Sequence, residues 1–242
     1  MGLTSPGVDA APQPRPHRWG LGAFLLVELV YLVSALLLAL LFGGQGSVAV
    51  SAVILIVAAP TLLAAGLAIL ITKLRGNGPR IDLKLQWSWR GAGLGALFGV
   101  GGLVIALPAA ALWGAIVGDD AGSAAGDVFG DVRGTWASAV LVFVVIVFVA
   151  PLCEEIVYRG LLWGALDWRW GRWVALIVTT VVFAVAHLEW SRAPLLLVVA
   201  LPIGLARLYA GNLTASIVAH QVTNLLPGLV LMFSVAGVAP AV

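Results

Sequence analysis

The chain has 242 residues, of which 62% are hydrophobic and only 10% are charged. Soluble domains carry about 25% charged residues, so this composition excludes an ordinary soluble protein and indicates an integral membrane protein. The formal net charge of +2 is too small to favour a nucleic-acid partner, and no motif that reads RNA or DNA is present. The lipid bilayer is therefore the expected environment.

The apolar segments predict an all-α, polytopic transmembrane bundle of seven to eight helices. Residues 1–18 are rich in proline and are predicted to form a disordered cytoplasmic tail. A helix needs about 20 apolar residues to cross the hydrocarbon. Four segments of that size lie at 19–42, 48–72, 90–117 and 136–166, and four shorter ones at 173–187, 194–209, 213–226 and 227–238. Residues 19–135 are thus predicted to supply about three N-terminal helices.

The charges in the connections predict a cytoplasmic N-terminus, because Lys and Arg accumulate in cytoplasmic loops. The basic residues on the predicted cytoplasmic side are Arg15, Arg18, Lys73, Arg75, Arg80, Lys84, Arg90, Arg169 and Arg172. The predicted opposite side has a Gly-rich turn at 43–47 and an acidic loop with Asp119, Asp120, Asp127 and Asp131. At each of the early connections, the basic residues and the uncharged or acidic loops predict the same orientation.

Small residues and prolines indicate where helices pack closely or bend. Gly91, Gly95 and Gly99 recur every four residues in the third helix, a spacing typical of close helix packing in membranes. Pro151 removes a helical donor in the fourth helix and is expected to bend it. Cys153 is the single cysteine, and we interpret it as a small apolar residue of the core.

Seven polar or aromatic residues form three ordered motifs in the second half of the chain. They are Glu154, Glu155 and Arg159 as EExxxR, Phe183 and His187 as FxxxH, and His220 and Asn224 as HxxxN. Hydrocarbon penalises the ionisable and amide groups among them by several kcal/mol each, so residues of this kind usually mark a functional site. Glu28 also lies in an apolar helix, and its role is left open.

Helix geometry indicates how these motifs are arranged. Four-residue spacing places each pair on one helix face, so Glu155 can pair with Arg159 and Phe183 can form a wall beside His187. Counting from the loop at 167–172 places Glu154 and His187 at a similar depth, roughly 20 Å from it. Glu154 is rotated by about 100° around the helix axis from Glu155, so the two carboxylates are expected to have different roles.

The three motifs together resemble the signature of the CAAX-processing and bacteriocin-processing (CPBP) intramembrane proteases, which include the prenyl-protein type II endopeptidases. The resemblance covers roughly residues 136–226 and makes 136–242 the expected catalytic region. It implies hydrolysis of a peptide bond by a glutamate-activated water. Glu154 would be the general base, His187 would hold the water, and His220 and Asn224 would donate to the oxyanion. Glu155 would stay paired with Arg159.

Other interpretations remain open at this stage. Glu154, His187 and His220 could instead bind zinc, although the spacing is not HExxH and no cofactor is the favoured expectation. Intramembrane Glu, His and Arg also occur in transporters and proton relays, but no internal repeat typical of transporters is present. A catalytically silent immunity or scaffold protein is a third possibility.

The expected partner is a peptide or membrane-protein substrate in the lipid bilayer. Abundant Ala, Val, Leu and Gly with short loops favour a bacterial chain in the cell membrane.

Overall fold

The computed structural model describes residues 18–42, 49–118, 126 and 132–238. Within these ranges the chain forms eight helices and no strand: α1 (Leu21–Phe42), α2 (Val50–Arg75), α3 (Pro79–Asp82), α4 (Trp89–Val117), α5 (Trp136–Trp170), α6 (Arg172–Ala186), α7 (Ala193–Ala210) and α8 (Leu213–Val235). The prediction of an all-α polytopic bundle is confirmed. The predicted tail before residue 18, the Gly-rich turn and the four aspartates of the acidic loop lie outside the described residues.

Six helices of the described part are long and apolar enough to cross a membrane: α1, α2, α4, α5, α7 and α8. The apolar α6 has only 15 residues. In α1, Phe24 and Val27 are buried, whereas leucines on the other faces are exposed. An exposed apolar surface of this kind is stable when lipid covers it.

The predicted boundaries of the last helices are wrong. Segments 213–226 and 227–238 were expected to be separate, but α8 runs without interruption through Pro227. A proline removes one backbone donor, yet a break in hydrocarbon would leave more backbone groups unpaired. Continuing the helix therefore costs less than ending it. The four-residue α3, which starts at Pro79 in the loop after α2, was not predicted.

The long helix α5 contains two stretches of π-helix. They are Val145–Val149 and Ile156–Leu162, on either side of an α-helical turn at Ala150–Glu155. That turn contains Pro151 and both glutamates of the first motif. π-Helical segments often occur at functional sites because they re-aim side chains and disturb the backbone ladder. The irregularity expected near Pro151 therefore takes the form of a change between α-helical and π-helical hydrogen bonding.

Hydrogen bonds between the connections bring the basic residues to one end of the bundle. The Arg18 N–H donates to the Arg75 carbonyl at 2.7 Å, and the Leu213 N–H donates to the Lys84 carbonyl at 3.0 Å. At the other end, the Gly134 N–H donates to the Val235 carbonyl at 2.9 Å. The start of α1, the end of α2 and the start of α8 thus share an end, which we call the basic end.

The predicted glycine face of α4 packs against α8. Gly91, Gly95 and Gly99 are all buried. A Cβ at Gly95 would lie 2.8 Å from the Val218 Cβ, and one at Gly99 would lie 2.7 Å from the Val222 Cβ. Both distances are shorter than van der Waals contact, so the helices approach this closely only because side chains are missing there. This contact fixes the position of α8, which contains the third motif.

Candidate active site

Glu155 and Arg159 form a buried ion pair at the centre of the bundle. Both residues are fully buried, and Arg159 Nη1 lies 2.9 Å from Glu155 Oε1. The guanidinium also lies over the Phe183 ring, 4.4 Å from its centroid, and donates to the Ala200 carbonyl at 3.3 Å. Buried charges need such partners to offset their desolvation. The pair predicted from the four-residue spacing is present, and it connects α5 with α6 and α7.

His220 of α8 is the second partner of Glu155. Its Nδ1 lies 3.0 Å from Glu155 Oε1. Since a carboxylate paired with arginine accepts hydrogen bonds, we assign the proton to Nδ1. This bond turns Nε2 of the same ring toward Glu154, whose Oε2 lies 3.7 Å away. Sequence spacing paired Glu155 with Arg159 alone and missed this contact between α5 and α8.

The two neighbouring glutamates occupy different surroundings, as their rotation around α5 predicts. The Glu155 side chain is fully buried, whereas 23% of the Glu154 side chain is exposed. Glu155 is engaged by Arg159 and His220, so Glu154 is the accessible carboxylate of the pair. Only an accessible carboxylate can meet water or a substrate.

His187 lies at the C-terminal end of α6, on the same side of the helix as Phe183. Its Nδ1 lies 2.7 Å from the Phe183 carbonyl oxygen. A carbonyl only accepts, so Nδ1 is the donor and Nε2 of the neutral ring is an acceptor. The Phe183 ring is 4.5 Å from the His187 ring and 5.6 Å from the His220 ring between centroids. Phe183 therefore forms a common wall for both imidazoles.

Asn224 lies one turn after His220 on α8, and its amide is partly used. Its Nδ2 donates to the carbonyl of Ile146 at 3.0 Å. A carboxamide nitrogen carries two hydrogens, so one N–H of Asn224 is left for another acceptor. The HxxxN motif does not predict this hydrogen bond, because its acceptor is a backbone carbonyl of α5.

Glu28 of α1 belongs to the same neighbourhood, although sequence reasoning gave it no role. Its side chain is near enough to Tyr158 for a hydrogen-bonding interaction and lies within electrostatic range of Glu154 and His187. The Tyr158 ring packs edge-on against Phe183, with centroids 5.3 Å apart. The sequence does contain a signal for this placement, because Glu28 is an isolated carboxylate in an otherwise apolar helix. Such a group is costly in a membrane unless it has polar partners.

The possible zinc ligands Glu154, His187 and His220 are not arranged as a metal-binding site. In the part of the chain that the structure describes, no group of three or more His, Cys, Asp or Glu side chains is arranged to hold a metal ion. The Nδ1 atoms of His187 and His220 are bonded to the Phe183 carbonyl and Glu155, which leaves the two Nε2 atoms and the Glu154 carboxylate as donors for zinc. Zinc binding would need the remaining donors to rearrange.

The six apolar helices indicate an integral membrane protein, and its helix bundle encloses a buried polar cluster. Residues 136–226 match the protein-family model described as type II CAAX prenyl endopeptidase, Rce1-like. The match covers less than half of the chain. It supports the CPBP/CAAX protease family, which the ordered motifs predict, and suggests a CAAX-protease-type intramembrane endopeptidase. No match to the chain was found among curated proteins or among solved structures.

Proposed function

We propose that the protein hydrolyses a peptide bond with a water activated by Glu154, without a metal. The observation that carries the proposal is the separation of two carboxylates on one helix turn. Glu155 is withdrawn into the ion pair, while Glu154 Oε2 faces His220 Nε2 at 3.7 Å. The contacts of Phe183 with both imidazoles favour one compact site over a path of groups strung across the membrane.

Glu154 and His187 supply two acceptors for one water. The carboxylate accepts one hydrogen of the water, and Nε2 of His187 accepts the other because its Nδ1 donates to Phe183. A water held by both hydrogens presents a lone pair to the substrate carbonyl carbon. General-base removal of its proton typically contributes about 10² to 10⁴ in rate.

His220 and Asn224 donate to the oxyanion. With Nδ1–H directed to Glu155, His220 donates from Nε2 only as an imidazolium, and the negative charge of Glu155 compensates the positive ring. Asn224 contributes the N–H that is not bonded to Ile146. One donor to a developing oxyanion is worth about 3 kcal/mol in comparable sites.

The reaction balances with these groups alone. Glu154 takes a proton from water while the resulting hydroxide adds to the carbonyl carbon and the carbonyl oxygen becomes an oxyanion. The tetrahedral intermediate then expels the amine, the C–N bond breaks, and the protonated Glu154 returns its proton to the leaving nitrogen. The products are a carboxylic acid and an amine, and Glu154 is regenerated as a carboxylate.

Access is proposed from the basic end, which we place in the cytoplasm with the N-terminus. A cavity of about 270 Å³ is lined by Gln86 and Trp87 of the loop after α3, Leu152 of α5, and Thr214 and Gln221 of α8. Leu152 and Gln221 are close in sequence to Glu154 and His220. Reporter fusions at each end of the chain test the orientation, and a cytoplasmic signal from the C-terminal end of α1 would contradict it.

The catalytic proposal is tested with purified protein in detergent and a peptide library. Glu154→Gln is expected to lower kcat by about 10² to 10⁴, while Glu189→Gln, the same change in the loop between α6 and α7, should retain wild-type turnover. Undiminished cleavage by Glu154→Gln would overturn the base assignment. Loss of activity on chelation, with recovery on adding zinc, would replace the metal-free mechanism with a metal-dependent one.

A further inference from the structure

The π-helical stretch of α5 leaves one backbone carbonyl without its helical donor. At the end of Val145–Val149, the Ala150 N–H donates to the Val145 carbonyl, five residues earlier. In the same register the next N–H, that of residue 151, would pair with the Ile146 carbonyl. Residue 151 is proline and has no N–H. Inside a membrane such an acceptor must be satisfied by another group.

The amide of Asn224 takes the place of the missing donor. Asn224 Nδ2 donates to the Ile146 oxygen at 3.0 Å, so a side chain of α8 completes the hydrogen bonding of α5. The acceptor also selects the orientation of the carboxamide, because the opposite flip would place Oδ1 against a carbonyl oxygen. With one N–H fixed in this way, the direction of the second N–H follows from the planar geometry of the amide.

We propose that Pro151 is a positioning residue for catalysis: by leaving the Ile146 carbonyl open, it creates the anchor that holds the Asn224 amide ready for the oxyanion. This inference rests on the proposed role of Asn224 as an oxyanion donor. It assigns a second effect to Pro151 besides any bend, and it explains why the polar motif of α8 reaches back to a backbone atom of α5.

The test restores the missing donor with Pro151→Ala. The new N–H competes with Asn224 for the Ile146 carbonyl, so kcat should fall by about tenfold, part of the 10² to 10³ loss typical of removing an oxyanion donor. KM should stay unchanged and Tm should not fall, since alanine favours the helix. Pro108→Ala is the matched control, because Pro108 is an exposed proline inside α4, and it should leave kcat unaffected.

A double-mutant cycle separates positioning from an independent structural effect. Pro151→Ala combined with Asn224→Ala should be no slower than Asn224→Ala alone. Multiplied losses in the double variant, or wild-type kcat in Pro151→Ala, would overturn the inference. If Glu154→Gln is inactive while Pro151→Ala is fully active, only this inference fails, whereas an active Glu154→Gln removes the proposed function itself.

The anchor has a second readout that does not depend on catalysis. Asn224→Asp places acceptor oxygens against the Ile146 carbonyl, so its Tm should lie below that of Asn224→Ala, which merely removes the donor. Equal thermal stability of the two variants would show that Asn224 does not depend on this contact and would overturn the inference.

Discussion

The close contact between α4 and α8 makes Gly99 a sensitive position, and Gly99→Ala tests it. The added Cβ would lie 2.7 Å from the Val222 Cβ and 2.9 Å from the Ala219 carbonyl oxygen. Non-bonded carbon atoms prefer about 3.5–4.0 Å, so α8 must move by about 1 Å. The residue after Ala219 is His220, so the same shift moves its ring relative to Glu154, from which it is 3.7 Å away.

The expected magnitudes follow from this displacement. Overpacking a well-packed contact costs about 1–3 kcal/mol, and the higher helix propensity of alanine offsets up to about 1 kcal/mol of that. The free energy of unfolding should therefore fall by up to about 2 kcal/mol. A 1 Å misplacement at a reacting centre can lower the rate by about 10², so activity should suffer more than stability.

Turnover and thermal unfolding in the same detergent provide the assay, with Gly101→Ala as the matched control. A Cβ at Gly101 meets nothing within 4 Å, so this variant gains the same helix propensity without a clash and should be active and at least as stable as the wild type. Wild-type kcat and Tm in Gly99→Ala would refute the idea that the glycine contact sets the position of α8.

Substitutions at three further positions test other contacts of the site. Arg159→Met leaves the buried Glu155 without its cation and should destabilise the protein by about 3–5 kcal/mol; an unchanged Tm would contradict the buried pair. Glu28→Gln can still accept from Tyr158, whereas Glu28→Leu cannot and should lose about 1 kcal/mol more in unfolding free energy; identical melting curves would argue against that hydrogen bond. Cys153→Ala should keep its activity because the thiol is buried in the apolar core, and a loss of more than about tenfold, about 1.4 kcal/mol, would reveal a chemical use of the sulfur.

The helices were largely predictable because hydrocarbon thickness fixes the length of an apolar span. The first helix was expected at 19–42 and is found at Leu21–Phe42, and the third was expected at 90–117 and is found at Trp89–Val117. The interruption expected at Pro227 is wrong, since membrane helices tolerate proline better than soluble helices do. Hydropathy also gives no information on helical register, so the π-helical stretches of α5 could not be predicted.

The site was predictable within each helix and unpredictable between helices. Four-residue spacing correctly brought together Glu155 with Arg159 and Phe183 with His187, because a helical turn has a fixed geometry. The bond from His220 to Glu155 depends on how α8 packs against α5, and residue spacing does not encode that packing. The bond from Asn224 to a backbone carbonyl depends on a local change of helical register as well. The catalytic roles of these residues stay predictions.

The shortness of α6 has a consequence for the surrounding lipid. Its 15 residues span about 22 Å, less than the roughly 30 Å of a hydrocarbon core, and the following loop is tied to α4 where the Trp113 indole donates to the Ser191 carbonyl at 2.8 Å. Acyl chains beside α6 must therefore compress, or the loop is drawn inward, and either response stores elastic energy in the host membrane. Bilayer thickness thereby influences the depth of His187, which follows the last residue of α6.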